Sequence, residues 1–331
     1  MHFAYPILKG KLPTDNNLYE LFSKISLKQK DLILPLFIAD DHAKQISSSN
    51  YFKKIPYSYV TQYIDNMIQK GITSIIIFGT PRKKSGSLQN NTEYIPNDMV
   101  TNSIKRISSE FKKKVTIFTD ICICQDNPFG HCGITTDKTN HAENDMTLKI
   151  LGRLSLEYAK AGSDYISPSS MMDGQVRYLR SILNDNGYRN TKILSFSAKH
   201  NSSLYAPFRN NMFINITSDY SIDKSNYQVS FFNPHETIRE IQTDINEGAD
   251  MVMIKPSMFY LDLVYRIKRK IEVPMVVQNV SGEYYLFKAG IKNSIIFNEK
   301  FSILLFLESI KNAGADKIIS YFSPDFVQYL K

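Results

Sequence analysis

The chain of 331 residues is 43% hydrophobic, enough to fold around a substantial core as one large domain or two small ones. It has no apolar run near the roughly 18 residues of a membrane span and no secretory signal pattern, so we expect a cytoplasmic protein without a membrane partner. The net charge of +8 comes from scattered lysines beside no nucleic-acid-binding motif, which argues against a nucleic-acid partner.

Short apolar runs, rich in β-branched and aromatic residues, recur along the chain and predict eight buried strands. In chain order they are residues 32–38, 73–79, 115–123, 164–169, 192–198, 250–256, 274–280 and 317–322. Helical patterns lie between most of them. Before four of the strands a glycine is placed to end the helix in a left-handed cap, at Gly71, Gly162, Gly248 and Gly314.

Alternating helices and near-continuous apolar strands predict a parallel sheet that is covered on both faces. Eight such units in one domain favour a closed (β/α)8 TIM barrel. The alternative is an open doubly wound sheet, but that fold usually carries a glycine-rich phosphate loop, and no GxGxxG is present. We expect an N-terminal arm at 1–30, a barrel at 31–331, and a lid in the long loop at about 209–234.

Polar residues at the carboxyl ends of the strands are the candidates for chemistry, because barrel enzymes keep their active sites there. Lys255 ends an almost wholly apolar strand, where burial would lower its pKa and yield a neutral amine able to form a Schiff base. Lys199, at the previous strand end, would depress both pKa values further. The alternative for Lys255 is a rim lysine that reaches water. The other strand-end candidates are Asp120, Cys122, Cys124, Ser169, Ser281 and Tyr321.

All three cysteines of the chain, Cys122, Cys124 and Cys132, lie within residues 121–132. A disulfide is disfavoured in a reducing compartment and would leave one thiol over. Three thiolates from one loop can surround a soft metal such as zinc. A closed structural site needs a fourth protein ligand, and His131 is poorly placed because it directly precedes Cys132. We therefore favour an open, catalytic-type zinc site over chance clustering of buried cysteines.

Five stretches carry a more specific pattern: TDICICQDNPFGHCGI, SPSSMMDG, SFSAKHNSSLYAPFR, EGADMVMIKPSMFYLD and VSGEYYLFKAG. On these stretches the chain resembles the porphobilinogen synthase (5-aminolevulinate dehydratase) family, from about residue 30 to the C-terminus. Members of that family are metal-dependent (β/α)8 barrels with an N-terminal arm. They condense two molecules of 5-aminolevulinate into porphobilinogen, the pyrrole precursor of tetrapyrroles such as heme, and release two waters.

The resemblance implies a role for each matched residue. Lys255 would form the Schiff base at the first substrate site, Lys199 would serve the second, and Asp120 is taken as the third catalytic residue. Cys122, Cys124 and Cys132 match the zinc-binding version of the family loop. The implied substrate-binding residues are Ser281, Tyr321, Tyr205 and Phe208 at the first site, Arg209, Gln228 and Lys224 as the clamp on the second carboxylate, and Ser169.

The resemblance also implies features away from the reacting centre. Glu240 falls where some members bind an allosteric magnesium ion, so magnesium is a second expected cofactor. The family assembles as an octamer, so a homo-oligomer is expected, although the arginine-rich start of the family's arm is missing here.

The chain departs from the family pattern near the site. Ser170 and Gln175 replace an acidic residue and an arginine, and Gln278 replaces a tyrosine before VSGE. These changes leave two alternatives to an active zinc-dependent enzyme: an impaired relative kept as a metal-binding or assembly protein, and a Schiff-base aldolase that uses Lys255 alone. The retained lysines and cysteines favour the active enzyme.

Overall fold

A closed parallel β-barrel forms the centre of the molecule. The computed structural model describes residues 27–41, 54–79, 98–127, 130–135, 142–212, 224–230 and 232–329. The strands, in chain order, are β1 (Leu32–Ala39), β2 (Ile55–Pro56), β3 (Ser74–Phe78), β4 (Thr116–Ile121), β5 (Tyr165–Pro168), β6 (Lys192–Lys199), β7 (Met251–Lys255), β8 (Met275–Gln278) and β9 (Lys317–Ile319). Strand β1 pairs with both β3 and β9, which closes the barrel. All eight predicted strands and the TIM-barrel fold are confirmed; β2 is a two-residue addition at the end of β1.

Helices surround the barrel and connect its strands. They are α1 (Val60–Gln69), α2 (Asp98–Phe111), α3 (Asn144–Ala161), α4 (Gln175–Asp185), α5 (Ala206–Met212), α6 (Pro234–Asn246), α7 (Leu261–Lys268), α8 (Ser281–Lys292), α9 (Glu299–Ala313) and α10 (Ser323–Tyr329). The four predicted helix-ending glycines have φ values between 88° and 122°, a region that side chains with a Cβ avoid. Of the helices in the described ranges, none has both the length and the apolarity that a membrane span requires.

The barrel strands are apolar along their whole length because both faces are covered. Every residue of β1, β3 and β7 is buried. Alternate side chains, such as Phe37, Phe118 and Phe196, fill the inside of the barrel. Their neighbours, such as Leu34 and Leu36, pack outward in the larger cluster that includes the helices. This two-sided burial explains why the strands read as continuous apolar runs in the sequence.

The predicted arm and lid fall largely outside the described residues. Of the arm at 1–30, only residues 27–30 are described, and Leu27 there is buried. Of the lid at 209–234, residues 213–223 and 231 lie outside the described part. In the returning segment 224–230, the Val229 amide donates to the Lys199 carbonyl at 3.1 Å. This segment is therefore attached to the strand end that carries Lys199.

The start of α8 lies against the turn at Ser203–Tyr205. A Cβ added at Gly282 would meet the Leu204 backbone, with the Leu204 Cα 2.7 Å away. The Phe208 amide also donates to Ser281 Oγ at 3.0 Å, so this close approach holds α8 against α5. Only glycine allows the two backbones to lie this close.

We expect Gly282→Ala to destabilise the fold by about 1–3 kcal/mol, because one of the two backbones must move. The matched control is Gly290→Ala on the same helix, where a Cβ would meet the flexible side chain of Ile296, 2.7 Å from its Cδ1. Alanine also favours a helix over glycine by about 1 kcal/mol. Urea unfolding of both variants measures the difference, and equal stability would contradict the close-approach argument.

Candidate active site

The predicted site residues lie together in one cavity at the carboxyl ends of the strands. Its lining includes every predicted catalytic and substrate-binding residue: Asp120, Lys199, Lys255, Ser169, Tyr205, Phe208, Arg209, Lys224, Gln228, Ser281 and Tyr321. Cys124 and Cys132 line the same cavity, and Cys122 is buried beside them. Glu240 lies apart from this lining, on α6.

Lys199 and Lys255 are register partners in the β6–β7 ladder, so their side chains leave adjacent strand ends. Both are buried, with 8% and 9% exposure. Lys255 Nζ donates to Gln278 Oε1 at 3.2 Å and lies 4.8 Å from the ring centroid of Phe196. Lys199 Nζ donates to the Ser169 carbonyl at 2.6 Å and lies 3.8 Å from Cys132 Sγ. One amine therefore faces an aromatic wall and the other faces the cysteines.

These surroundings shift the two lysine pKa values in opposite directions. Burial, assisted by the charge of Lys199, lowers the pKa of Lys255 to about 7. Burial also acts to lower the pKa of Lys199, but the negative charge of Cys132 and the other cysteines outweighs it, so that pKa is raised. The prediction of mutual depression is thus correct for Lys255 and wrong for Lys199, since proximity to thiolates favours the charged amine.

Asp120, near the end of β4, shortly precedes Cys122 in the sequence and lines the same cavity. Burial raises its pKa to about 6, while a hydrogen bond with Ser169 and the charges of both lysines oppose the rise. Its Oδ1 atom is buried and makes no hydrogen bond within the described residues. A carboxyl with this pKa can accept and return a proton near neutral pH.

The cysteine loop has the composition and spacing of a soft-metal site. The sulfur atoms of Cys122, Cys124 and Cys132 lie within 4.8 Å of one another. Zinc bound by thiolates at about 2.3 Å keeps its sulfurs roughly 3.8 Å apart in a tetrahedron, so these three fit the ion after a small inward shift. In the described ranges, no other group of three His, Cys, Asp or Glu residues brings ligand atoms this close.

Cys132 has the character of a metal ligand. Hydrogen bonds from Cys122 and Cys124 hold its pKa well below the usual thiol value, and the charges of Lys199 and Lys224 act in the same direction. Lys224 Nζ lies 3.3 Å from Cys132 Sγ. The thiolate is the form that binds metals. The loop therefore suits a soft divalent cation.

His131 does not join the three sulfurs. Its Nδ1 lies 3.2 Å from the Tyr227 hydroxyl, and the Cys132 amide donates to the same hydroxyl at 3.2 Å. Tyr227 belongs to segment 224–230, so one residue of this segment contacts the cysteine loop at two points. An open position at the metal is consistent with this arrangement.

Arg209 and Gln228, which line the cavity, each have a buried polar atom without a hydrogen-bond partner in the described part of the chain. These atoms are the Nη2 of Arg209 and the Oε1 of Gln228. A buried guanidinium donor without a partner is costly, and a carboxylate in the cavity would relieve that cost. This part of the cavity is therefore suited to an anionic ligand group.

The lining also contains the start of α8 at Ser281 and the Tyr321 hydroxyl. The Ser281 hydroxyl accepts from the Phe208 amide at 3.0 Å and donates to the Leu204 carbonyl at 3.4 Å. Ser281 is the first residue of α8, where helix N-termini favour anions. Burial raises the pKa of Tyr321, so its hydroxyl keeps its proton and remains a donor. The Tyr205 hydroxyl is used differently, since it donates to the His200 carbonyl at 2.9 Å. Tyr205 therefore contributes its ring to the wall of the cavity.

Comparison with known proteins agrees with the geometry. The Delta-aminolevulinic acid dehydratase family model matches residues 10–329. The chain belongs to the delta-aminolevulinic acid dehydratase family. Relatives of that name from Archaeoglobus fulgidus and Methanothermus sociabilis are 36% and 38% identical to it, each over 99% of both chains. The sequence resemblance is confirmed.

A solved dehydratase has the same fold. The crystal structure of delta-aminolevulinic acid dehydratase (porphobilinogen synthase) from Toxoplasma gondii, in complex with the reaction product porphobilinogen, superposes with a TM-score of 0.89. The two sequences are 29% identical, and the match covers 98% of this chain and 91% of that chain.

Three contributors to this dehydratase-family site have no role that the sequence predicts. Phe78, at the end of β3, lines the cavity and stacks on Phe37 with ring centroids 5.1 Å apart. Glu283 accepts from the Ser257 amide at 2.8 Å and the Val280 amide at 2.6 Å, so it ties the loop after Lys255 to the start of α8. Gln278, a departure from the family pattern, accepts a hydrogen bond from Lys255 Nζ. Position at a strand end was the available signal for Phe78 and Gln278.

The other two departures have different surroundings. Ser170 is fully buried, and its hydroxyl makes no hydrogen bond within the described residues. Gln175 Oε1 accepts from the Met172 amide at 3.3 Å, so this side chain stabilises the start of α4. Neither replacement removes a residue of the lysine pair or the cysteine group.

We expect Cys124→Ser to lose most of the bound zinc, because the hydroxyl is a harder and far less acidic ligand than a thiol. Elemental analysis of protein purified in reductant with added zinc measures the metal content. Ser170→Ala is the matched control, since it changes a buried hydroxyl near the same cavity that belongs to no ligand group. An equal zinc content in Cys124→Ser and the parent protein would contradict the metal assignment, provided that far-ultraviolet circular dichroism shows that the variant is folded.

Proposed function

We propose that this protein condenses two molecules of 5-aminolevulinate into porphobilinogen with the loss of two waters. The observation that carries the proposal is a pair of buried lysines at adjacent strand ends, in the same cavity as two of the three clustered cysteines. Two copies of one keto acid need two anchoring groups, and the cavity supplies two amines in different electrostatic surroundings. Family membership supports the same reaction.

Lys255 is the proposed Schiff-base lysine of the first substrate. With a pKa of about 7, a large fraction of this amine is neutral at physiological pH. Its nitrogen attacks the substrate ketone, the carbinolamine loses water, and a carbon–nitrogen double bond forms. The rings of Phe196 and Tyr205 exclude water on one side and stabilise the positive charge that develops on nitrogen.

Lys199 is the proposed anchor of the second substrate. It lies between the Ser169 carbonyl and Cys132, with its charged form favoured by the cysteines. Asp120, whose pKa is about 6, is placed to accept a proton from the condensing substrates and to return one to a leaving water. These assignments give Lys255, Lys199 and Asp120 separate tasks.

The two substrate carboxylates have separate partners in the proposal. Ser281 and Tyr321 hold the first, at the start of α8 and the end of β9. Arg209, Gln228 and Lys224 hold the second, and the unpaired Nη2 of Arg209 supports this assignment. Closure of the segment at about 209–234 over the bound substrates would complete the clamp.

Cys122, Cys124 and Cys132 are the proposed zinc ligands. Zinc bound there would supply a Lewis acid beside the second substrate. The three sulfur donors make zinc the preferred metal over magnesium or calcium. We further propose a cytoplasmic homo-oligomer, with magnesium at Glu240. Burial, together with the charges of Asp244, Asp173 and Glu247, raises the pKa of Glu240 to about 7, and a cation beside Glu240 would favour its ionised form.

One observation favours the impaired relative as a second candidate. The buried, unpaired hydroxyl of Ser170 stands where the family pattern has an acidic residue, so a charged group near the site has been lost. The aldolase gains no such support, because it needs neither Lys199 nor the cysteine group.

We expect borohydride to trap 5-aminolevulinate covalently on Lys255, because reduction fixes a Schiff base. Mass spectrometry should find the adduct on the peptide containing MVMIKPSMFYLD. Trapping should increase as the pH rises through about 7, since the protonated amine cannot attack and its pKa is about 7. An unlabelled Lys255 in a protein that still makes porphobilinogen would overturn the assignment.

The two lysine variants separate the roles. Lys199→Met should lose turnover yet trap one substrate, because the first site needs only Lys255. Lys255→Met should lose both turnover and the principal adduct. A labelled Lys255 with no pyrrole from the parent protein, supplied with zinc, would favour the impaired relative.

Arg209→Ala should weaken use of the second substrate roughly ten- to a hundredfold, because a charge-assisted bond contributes about 1.5–3 kcal/mol. The charge-matched control is Arg177→Ala, whose side chain is 77% exposed on α4. Steady-state kinetics over a range of 5-aminolevulinate concentrations measures both variants. An effect of Arg209→Ala no larger than that of Arg177→Ala would refute the clamp.

A further inference from the structure

The Lys255 amine donates a hydrogen bond in this cavity, and the side chain of Gln278 accepts it. Gln278 ends β8, the strand that pairs with β7, and it is 3% exposed. Its Oε1 accepts from Lys255 Nζ at 3.2 Å. The aromatic rings of Phe196 and Tyr205 are the other close partners of this nitrogen. In the described part of the chain, no second oxygen acceptor bonds to this nitrogen.

The backbone holds Gln278 firmly in place. The residue pairs with Ile319 in the β8–β9 ladder, and the Asn279 amide donates to the Ile319 carbonyl at 2.9 Å. Asn279 Oδ1 accepts from the Ser320 hydroxyl at 2.9 Å. Because this strand end is fixed, the Gln278 side chain has little freedom to move and can orient its hydrogen-bond partner.

We propose that Gln278 is a positioning residue for the Lys255 amine: its amide oxygen holds one N–H bond and thereby directs the nitrogen lone pair into the cavity. The inference rests on the proposed function and deepens it, since it names the group that aims the nucleophile. The family pattern that the sequence resembles often has a tyrosine before VSGE, where this chain has Gln278.

The amide oxygen can keep its role through the whole step. Before attack it accepts from the ammonium or from the neutral amine. When water leaves, the protonated Schiff base retains one N–H bond, which the same oxygen can accept. A leucine of similar size offers no acceptor in any of these states, whereas a glutamate offers a stronger one.

Substitution at Gln278 should therefore shift the proton equilibrium of Lys255 in a defined direction. An acceptor favours the protonated amine, so its removal lowers the pKa and a negative charge in its place raises the pKa. The other charged or titratable groups that influence Lys255 are Lys199 on β6, Asp120 on β4, and Cys122 and Cys132 in the cysteine loop. They are the same in every variant, so the difference between variants reports on Gln278.

The experiment compares the full-length, zinc-supplemented parent protein with Gln278→Leu and Gln278→Glu. Trace acetylation by acetic anhydride over a pH series, resolved by peptide mass spectrometry, gives the titration midpoint of Lys255. We expect the midpoint to fall by about one pH unit in Gln278→Leu and to rise by about one unit in Gln278→Glu. Gln278→Tyr, which keeps an acceptor, should lie between them and recover trapping of 5-aminolevulinate lost in Gln278→Leu.

Unchanged midpoints in both the leucine and glutamate variants, with thermal melts like the parent's, would overturn the proposal. Shifts of the same sign in both would overturn it too, because a purely structural disturbance has no reason to follow the charge of residue 278. Failure of the parent protein to trap 5-aminolevulinate would count against the proposed function instead, and the acetylation midpoints would still decide the role of Gln278.

Discussion

The register of two parallel strands places Lys199 and Lys255 side by side in a buried cavity, and the repulsion between two buried cations is the constraint on which the rest of the site depends. Two uncompensated charges there would cost several kcal/mol. The two lysines have different neighbours: the sulfur of Cys132 lies beside Lys199, and an aromatic ring lies beside Lys255. These surroundings raise the pKa of Lys199 and lower that of Lys255, so Lys255 is the amine more readily available as a neutral nucleophile.

The surrounding elements serve to maintain this asymmetry. Tyr227 holds segment 224–230 against the cysteine loop, so this segment and the sulfur atoms are linked. Glu283 ties the loop after Lys255 to the start of α8, which also presents Ser281. Gln278, at the end of the next strand, accepts a hydrogen bond from the Lys255 amine. Each contact joins two strand ends or loops, so the geometry of the site depends on how the closed barrel arranges its strands.

Local patterns made the fold predictable from sequence. Apolar runs mark strands buried on both faces, and a glycine with positive φ ends each of the four indicated helices. Because parallel strands present their carboxyl ends at one edge, the gathering of Lys199, Lys255 and Ser281 followed without knowledge of any contact. Three features did not follow. The pKa of Lys199 depends on Cys132, 67 residues away, and the role of Gln278 depends on Lys255, 23 residues away. Strand β2, at Ile55–Pro56, was too short to show a period. Such distances between side chains depend on strand register and loop paths, which periodicity does not encode.

The most direct test of the account uses 5-aminolevulinate labelled with carbon-13, incubated with the purified zinc-supplemented protein and followed by nuclear magnetic resonance. If the two lysines hold two substrate molecules in one cavity, the product is a pyrrole whose carbon atoms come from two labelled molecules, and a chelator abolishes its formation. Folded, zinc-loaded protein that leaves the labelled substrate unchanged would contradict the account, because the cavity would then hold the groups of a condensing enzyme without performing the condensation.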